Sequence, residues 1–463
     1  MATALDSTIF GPLFADPEIS ALLTDEAYVR ALVEVEVALA RAEARLDIIP
    51  PAAAEQITGA ANPANIDIAA LAKGTARSGF PIIALVQELR RVVGPEAGPY
   101  LHWGATTQDI MDSACVLQLR TVIKVFEKRL AELAGYLSAL AQRHQVTVVA
   151  GRTHGQQALP VSFGLKVASW LAPLVRDSQR LNEISSRLLV VQFGGAAGTL
   201  AALGDRGLEL MHGFASELGL TAPVMPWHAQ RDSFVEFAGW LSLVTGSLGK
   251  MAQDIVLMAQ TEVGELAESA EEGRGGSSTM PQKSNPITSE LIIAAARMNA
   301  SLLSALHHAL IQEQERATHG WQIEWLSLPQ MAILTSGALK HAVYLAKSLQ
   351  VDEVKMRENL HRANDVALAE AAVFALSGHL PRPQADELVR QACAAAVSEG
   401  RPLIEVVKRL AGGVVSEGAV DWQALAAPEN YLGESERIIQ RVLEDARKLW
   451  QPHATTIEPL ARK

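Results

Sequence analysis

The chain has 463 residues, 49% hydrophobic and 20% charged, and its 51 acidic against 40 basic side chains leave a net charge of −11. That length can bury a large core and suggests about three domains, or one extended domain with appendages. The acidic balance argues against a broad nucleic-acid or anionic-membrane surface, while leaving room for a local cationic pocket.

Two cysteines, Cys115 and Cys393, lie far apart in apolar helical surroundings. This argues against a disulfide framework or a zinc site and fits a reducing cytoplasm. The opening MATALDSTIFGPLF has no basic stretch leading into an apolar run, so no signal peptide is expected. No stretch of about 18 residues is continuously apolar, so no membrane span is expected either.

Residues 24–46, TDEAYVRALVEVEVALARAEARL, give the first strong element. Thr24 is a plausible N-cap with acids in the first turn. VEVEV alternates like a strand, but the alanine-rich flanks and the length favour helix. Pro50-Pro51 is expected to end it, and a looser Gly- and Pro-bearing region follows as far as GPYLHWGATTQD.

Segments 111–145, 161–189, 234–269, 286–316 and 331–350 then carry apolar residues at helical spacing with few breakers. The third would be about 54 Å long at 1.5 Å per residue. Leu241, Val244, Leu248, Met251 and Ile255 make much of its circumference apolar, unlike a lone amphipathic surface helix. Five such rods packed together, and against copies from other subunits, explain the pattern better. Gly239, Gly246 and Gly249 each cost helix stability of roughly 1 kcal/mol, with close helix–helix approach as the expected return. After about residue 355 the helices become shorter and more polar. The expected fold is therefore all-α: an N-terminal helical domain over 1–110, a central long-helix bundle over 111–355 and a C-terminal helical domain over 356–463.

Three polar, small-residue-rich interruptions lie at ends of these rods, where functional groups tend to sit on a stiff frame. In HWGATTQDIMDS (102–113), Thr106, Thr107 and Gln108 precede a helical run. Exposed N–H groups at a helix start, joined by hydroxyls, would take a carboxylate; an ordinary N-cap reads the same way. In GRTHGQQALP (151–160), His154 sits on an apparent turn beside Thr153 and Gln156, and a lone histidine there is more often structural than catalytic. GRGGSSTMPQKSNPITSE (273–290) is more specific. It is not a phosphate loop, because Gln282 takes the position of the required glycine. Ser277, Lys283 and Asn285 offer an acid–base oxygen, a cation and an amide, and a lysine with N–H groups can stabilise an ionised serine.

The run Gly-Ser-Ser-x-Met-Pro-x-Lys-x-Asn-Pro, followed by Glu290, resembles the signature of the fumarase/aspartase superfamily. TTQD and RTHGQ resemble its two companion regions in the same order, so the likeness covers nearly the whole chain. The resemblance implies a homotetramer with each active site built from three subunits, the 273–290 stretch acting as a mobile catalytic lid. It implies that Ser277 exchanges the proton on the carbon next to a carboxylate. Lys283 and Asn285 would bind substrate carboxylate and stabilise the aci-carboxylate, His154 would pair with Glu290, and Thr106 and Thr107 would bind carboxylate. Gln108, where several relatives carry asparagine, would bind substrate beside them. Thr153 and Gln156 accompany His154 as substrate-binding candidates.

Within the superfamily, adenylosuccinate lyases share SSTMPQKSNPI and RTHGQ. Their Arg-His-Asp-Val type element is missing, since the comparable ARSGFPIIALVQELR has no histidine. Trp321 and Trp325 stand where their nucleotide-serving small polar residues would be. FGPLFADPEIS, SGFPI, HWGATTQD and WQIEW instead resemble the bacterial 3-carboxymuconate cycloisomerase branch. That branch implies a small, flat tricarboxylate substrate, no metal, flavin or nicotinamide cofactor, and no nucleic-acid or membrane partner. Arg316 is then a candidate for the third carboxylate, and surface ion pairing reads equally well. Trp103, Trp321 and Trp325 could wall an apolar pocket, although each taken singly reads as ordinary core.

Overall fold

A computed structural model describes residues 3–269, 275–276, 280, 283–316 and 318–450. The chain divides into two compact units: Met1–Arg129 with Asp177–Gly246 and Ala294–Lys340, and Leu130–Arg176 with Ser247–Ile293 and His341–Lys463. The architecture is mostly helical, as expected, with two short antiparallel two-stranded ladders. No helix among the described residues is long and apolar enough to cross a membrane.

In the first unit, helix α1 (Asp25–Arg45) begins at the expected cap, where the Thr24 side chain accepts from the Ala27 N–H. Its VEVEV run is helical. Val33, Val35 and Glu36 are buried, and Val35 and Leu39 lie four residues apart on the core side, so helical burial of a wide face overrides the local alternation. The helix stops at Arg45, before the proline pair; Pro51 instead opens the next helix, Pro51–Ala60, where its missing N–H has no partner to lose. Helices α2 (Ile68–Ser78) and α3 (Ile82–Val93) follow, turning about Gly79 at φ +81°. Leu32, Leu39, Ile57, Leu85, Leu89 and Phe214 are at the heart of this unit's core.

The five expected rods are α4 (Thr107–Arg143), α5 (Phe163–Leu188), α6 (Asp232–Met258), α7 (Ile287–Ala309) and α8 (Gly320–Ser348). Three boundaries need correction. The 27 residues of α6 make a rod of about 40 Å rather than 54 Å. It gives way to a turn that ends on Gly264 at φ +61° and to strand β3 below. Helix α7 ends at Ala309, seven residues early. Helix α8 begins at Gly320 rather than 331, so Trp321 and Trp325 belong to its first turns and Pro329 lies inside it. Among the described residues nothing lies within 4 Å of a Cβ built on Gly239 or Gly246, so no described helix makes the close approach expected there.

In the second unit, β1 (Val148–Thr153) and β2 (Gln156–Ser162) form a hairpin where only a turn was expected. Val148, Val149 and Ala150 are buried, which favours pleated pairing over continued helix. The register shifts between Ala150 and Arg152, where a Cβ on Gly151 would meet the Leu159 carbonyl at 2.8 Å. Strands β3 (Leu266–Ala267) and β4 (Gln350–Val351) make the second ladder. The shorter helices after residue 355 bury Leu376, Ala385, Val389, Ala392, Leu403 and Val407 in a satellite core of their own.

Candidate active site

The site residues of the first unit gather at the start of α4. The Thr106 N–H donates to Asp109 Oδ2 over 3.0 Å while the Asp109 N–H returns a bond to the Thr106 carbonyl, so Asp109 caps the helix from inside. The Thr106 hydroxyl is therefore not the cap. It accepts from Arg316 Nη1 at 2.7 Å, bringing together two residues far apart in sequence. The Arg316 guanidinium, the Thr106 hydroxyl and the N-terminus of a 37-residue helix, whose first residue is the half-buried Thr107, meet there, a set suited to an oxyanion.

Asp109 is fully buried and receives further bonds from the Gly194 N–H at 2.9 Å, the Gly195 N–H at 2.9 Å and His228 Nε2 at 2.7 Å. Four donors on one carboxylate hold the helix start rigidly against the glycine loop. That loop needs its glycines: a Cβ on Gly194 would sit 2.6 Å from Pro226. Gln108 is also buried, and its amide donates to Asp112 Oδ2 at 3.2 Å and to the His228 carbonyl at 3.0 Å. Its nitrogen thus serves the scaffold under the threonines.

One turn further along, Arg231 is fully buried and fastens α4 to α8. Its guanidinium grips Asp112 at 2.6 and 3.1 Å and Glu324 at 2.8 and 2.5 Å, with the Trp227 and Phe234 rings each 4.8 Å away. Burial alone would lower its pKa, but the Asp112 and Glu324 carboxylates more than offset that and raise it. Trp321 Nε1 donates to Asp112 Oδ1 at 3.0 Å. This fastening joins the start of the helix that follows Thr106 to the start of the helix that follows Arg316.

Trp321 is buried and stacks on Phe80 with centroids 5.6 Å apart, and Trp325 meets Trp321 edge-on at 4.8 Å. Both wall a cavity of about 750 Å³; Trp103 is not among its lining and is exposed. Asp25, Asp112 and Glu324 border that cavity, and among the described residues none that lines it is Lys, Arg or His. A polyanion would find no cation in it.

In the second unit, His154 and Gly155 form the two-residue tip of the β1–β2 hairpin, both at positive φ, +51° and +78°. Such a turn matches the twist of paired strands but strains a non-glycine residue, here the histidine. Thr153 and Gln156 pair across the tip, and they and His154 are exposed. Beneath the tip, Arg152 reaches the fully buried Glu265 with two bonds of 2.8 and 2.6 Å. Asn359 Nδ2 donates to the same carboxylate at 3.0 Å, and Gln157 Nε2 donates to the Asn359 carbonyl at 2.9 Å. The hairpin is held at its base and bare at its end.

Within the 273–290 stretch, Gly275 and Gly276 are drawn against Ser284 and Asn285. The Asn285 N–H donates to the Gly275 carbonyl at 2.9 Å, Gly276 bridges Ser284, and Gly275 has φ +70° with Asn285 O 2.7 Å from where a Cβ would be. Lys283 is exposed, with its N–H bonded to the Met280 carbonyl at 3.0 Å. Ser277 lies outside the described residues. Just before the stretch, Glu268 caps α7, accepting from the Thr288 N–H at 3.1 Å and from the Ser289 N–H and hydroxyl at 2.8 and 2.7 Å. Glu290 is exposed in that helix's first turn. Among the described residues, no hydrogen bond or ion pair joins His154 to Glu290 within one chain.

A lyase family model matches residues 15–298. The chain belongs to the fumarase/aspartase lyase family. This fumarase/aspartase member is 43% identical over 449 residues to the 3-carboxy-cis,cis-muconate cycloisomerase of Pseudomonas aeruginosa, covering 96% of this chain and 98% of that one. Trans-aconitate decarboxylase 1 of Mycosarcoma maydis is 38% identical, covering 93% and 87%. The crystal structure of 3-carboxy-cis,cis-muconate lactonizing enzyme from Pseudomonas putida matches with a TM-score of 0.90 at 39% identity, covering 96% and 100%. Sequence reasoning on this family member did not single out His228, Glu265 or Glu268, whose carbonyl or carboxylate contacts arise only on folding.

Proposed function

We propose that the protein is a cofactor-independent cycloisomerase that converts 3-carboxy-cis,cis-muconate to 4-carboxymuconolactone. The observation that carries this reading is Arg316 hydrogen-bonded to Thr106 at the head of α4: a cation added to the two carboxylate-binding threonines, suited to a substrate with a third carboxylate. The likeness to cycloisomerases over nearly the full chain supports it.

In the proposed reaction, one carboxylate oxygen forms a C–O bond to the alkene carbon conjugated with a second carboxylate. The π pair moves onto that carboxylate, giving an aci-carboxylate, and the carbon alpha to it takes a proton from Ser277. The ionised triacid becomes a lactone with two carboxylates and takes up one proton, drawn from water, so the neutral acid and neutral lactone are isomers. Lys283 and Asn285 stabilise the aci-carboxylate, and preorganised donors of this kind carry much of such a barrier. Thr106, Thr107 and Arg316 fold the substrate so that nucleophile and alkene meet. His154, backed by Glu290 and flanked by Thr153 and Gln156, returns the proton to Ser277. Active sites are completed by three subunits of a homotetramer, which agrees with the exposed state of His154 and Glu290 in one chain.

The test is direct. Purified protein mixed with 3-carboxy-cis,cis-muconate bleaches the diene absorbance without added cofactor; an unchanged spectrum refutes the reading. A fumarate-releasing lyase of the adenylosuccinate type is the second reading, favoured by SSTMPQKSNPI and RTHGQ, and AMP release from adenylosuccinate would select it.

A further inference from the structure

We propose that the 750 Å³ cavity of the first unit is a binding site for an uncharged aromatic molecule, chemically distinct from the polyanion reaction. Its volume falls in the range of about 300–1,000 Å³ typical of small-molecule pockets. Its walls are α1, α2, α4 and α8, with Leu32, Leu71, Met111, Leu328, Trp321 and Trp325 supplying aliphatic and aromatic faces. Flat rings offer such a molecule dispersion contact and offset or edge-on stacking.

The polar groups on the wall narrow the chemistry. Asp112 and Glu324 are already bound to Arg231, and Gln118 Nε2 donates to the Leu22 carbonyl at 2.9 Å. The Thr75 hydroxyl donates to the Leu71 carbonyl at 2.8 Å, and the Thr24 hydroxyl caps α1. Tyr28 differs: it lines the cavity and, among the described residues, its hydroxyl has no hydrogen-bond partner. Tyr28 is half-buried, so its hydroxyl is free to exchange a hydrogen bond with water for one with a ligand, and a ligand carrying one oxygen is favoured there. A carboxylate is not. With Asp25, Asp112 and Glu324 on the lining and, among the described residues, no Lys, Arg or His, an anion would lose its hydration without gaining a counter-charge.

The cavity also borders both halves of the anion-binding corner. Met111, Asp112 and Cys115 on its wall follow Thr106 and Thr107 along α4, and Trp321 and Glu324 open the helix after Arg316. An occupant would touch the elements that place those residues without meeting the substrate.

The test titrates the full-length protein with 2-naphthol and with 2-naphthoate, which share a ring system and differ in charge at neutral pH, by calorimetry. 2-Naphthol is expected to bind with a sub-millimolar Kd and 2-naphthoate at least tenfold more weakly. Ala72→Trp, which fills the lining from α2, is expected to abolish 2-naphthol binding, and Tyr28→Phe to weaken it about fivefold through one lost hydrogen bond. Tyr28→Phe keeps the ring and reads the site even if Ala72→Trp does not fold. The proposal is overturned if 2-naphthol does not bind, if 2-naphthoate binds equally well, or if Tyr28→Phe leaves affinity unchanged. It is also overturned if 3-carboxy-cis,cis-muconate displaces 2-naphthol, since the cavity would then belong to the polyanion site.

Discussion

Arg316 donates to the Thr106 hydroxyl across 2.7 Å, joining a loop and a helix start separated by more than two hundred residues. This contact places a full positive charge beside a helix N-terminus. Arg316→Met is expected to raise KM for the tricarboxylate about 10- to 100-fold, as loss of a charge-assisted hydrogen bond implies, with a smaller effect on kcat. Steady-state kinetics on the diene absorbance measure it, and an unchanged KM would leave Arg316 as a surface partner of Thr106.

Ser277→Ala is expected to abolish turnover while leaving melting temperature and assembly unchanged. Proton exchange into the lactone from deuterated water gives a second readout. Surviving turnover would assign the proton donor elsewhere.

Arg231 pairs with two buried carboxylates at once, one positive charge shared between them. Arg231→Met strands Asp112 and Glu324 and is expected to destabilise the protein by about 3–5 kcal/mol in denaturant unfolding. The triple variant Arg231→Met, Asp112→Asn, Glu324→Gln should recover part of that loss, because the unpaired charges go with the cation.

The base of the His154 hairpin depends on Glu265. Glu265→Gln weakens its hold on Arg152 and is expected to lower kcat with little change in KM, since it loosens a positioning element and touches no substrate. Gly155→Ala, at φ +78°, should cost about 1 kcal/mol from the left-handed backbone it must adopt. Unfolding titrations separate the two effects.

Glu43 is fully buried on α1 with both carboxyl oxygens unpartnered, and burial, then the nearby Glu36, pushes its pKa up to about 9. The folded state therefore keeps a proton that the unfolded chain has released above the ordinary carboxyl range. Stability from this group is full at low pH and is lost as pH rises through about 9. Glu43→Gln is expected to flatten the decline of the melting temperature between the ordinary carboxyl value of 4.5 and about pH 9; an equally steep decline in the variant would point to another group.

Much of this was legible in the chain itself. Helical spacing of apolar residues located all five rods, because a rod that buries much of its circumference repeats its apolar side chains every turn. Their ends were less legible: the stop of α6 at Met258 and the start of α8 at Gly320 depend on strand pairing and on Trp321 packing against Phe80, contacts between residues remote in sequence. The β1–β2 hairpin was missed for the same reason, since six residues of strand are stable only against their partner.

The site divides along the same line. Motif order and residue type alone identified Thr106, Thr107, His154, Lys283, Asn285 and Glu290 as candidates and supplied the family. Only tertiary structure decided that the Thr106 hydroxyl meets Arg316 rather than capping its helix, that Gln108 turns inward, and that Trp321 and Trp325 wall a cavity bordered by acids. Local sequence sets which groups a segment can offer. Which of them stay free for a ligand depends on the partners that folding brings within hydrogen-bond reach.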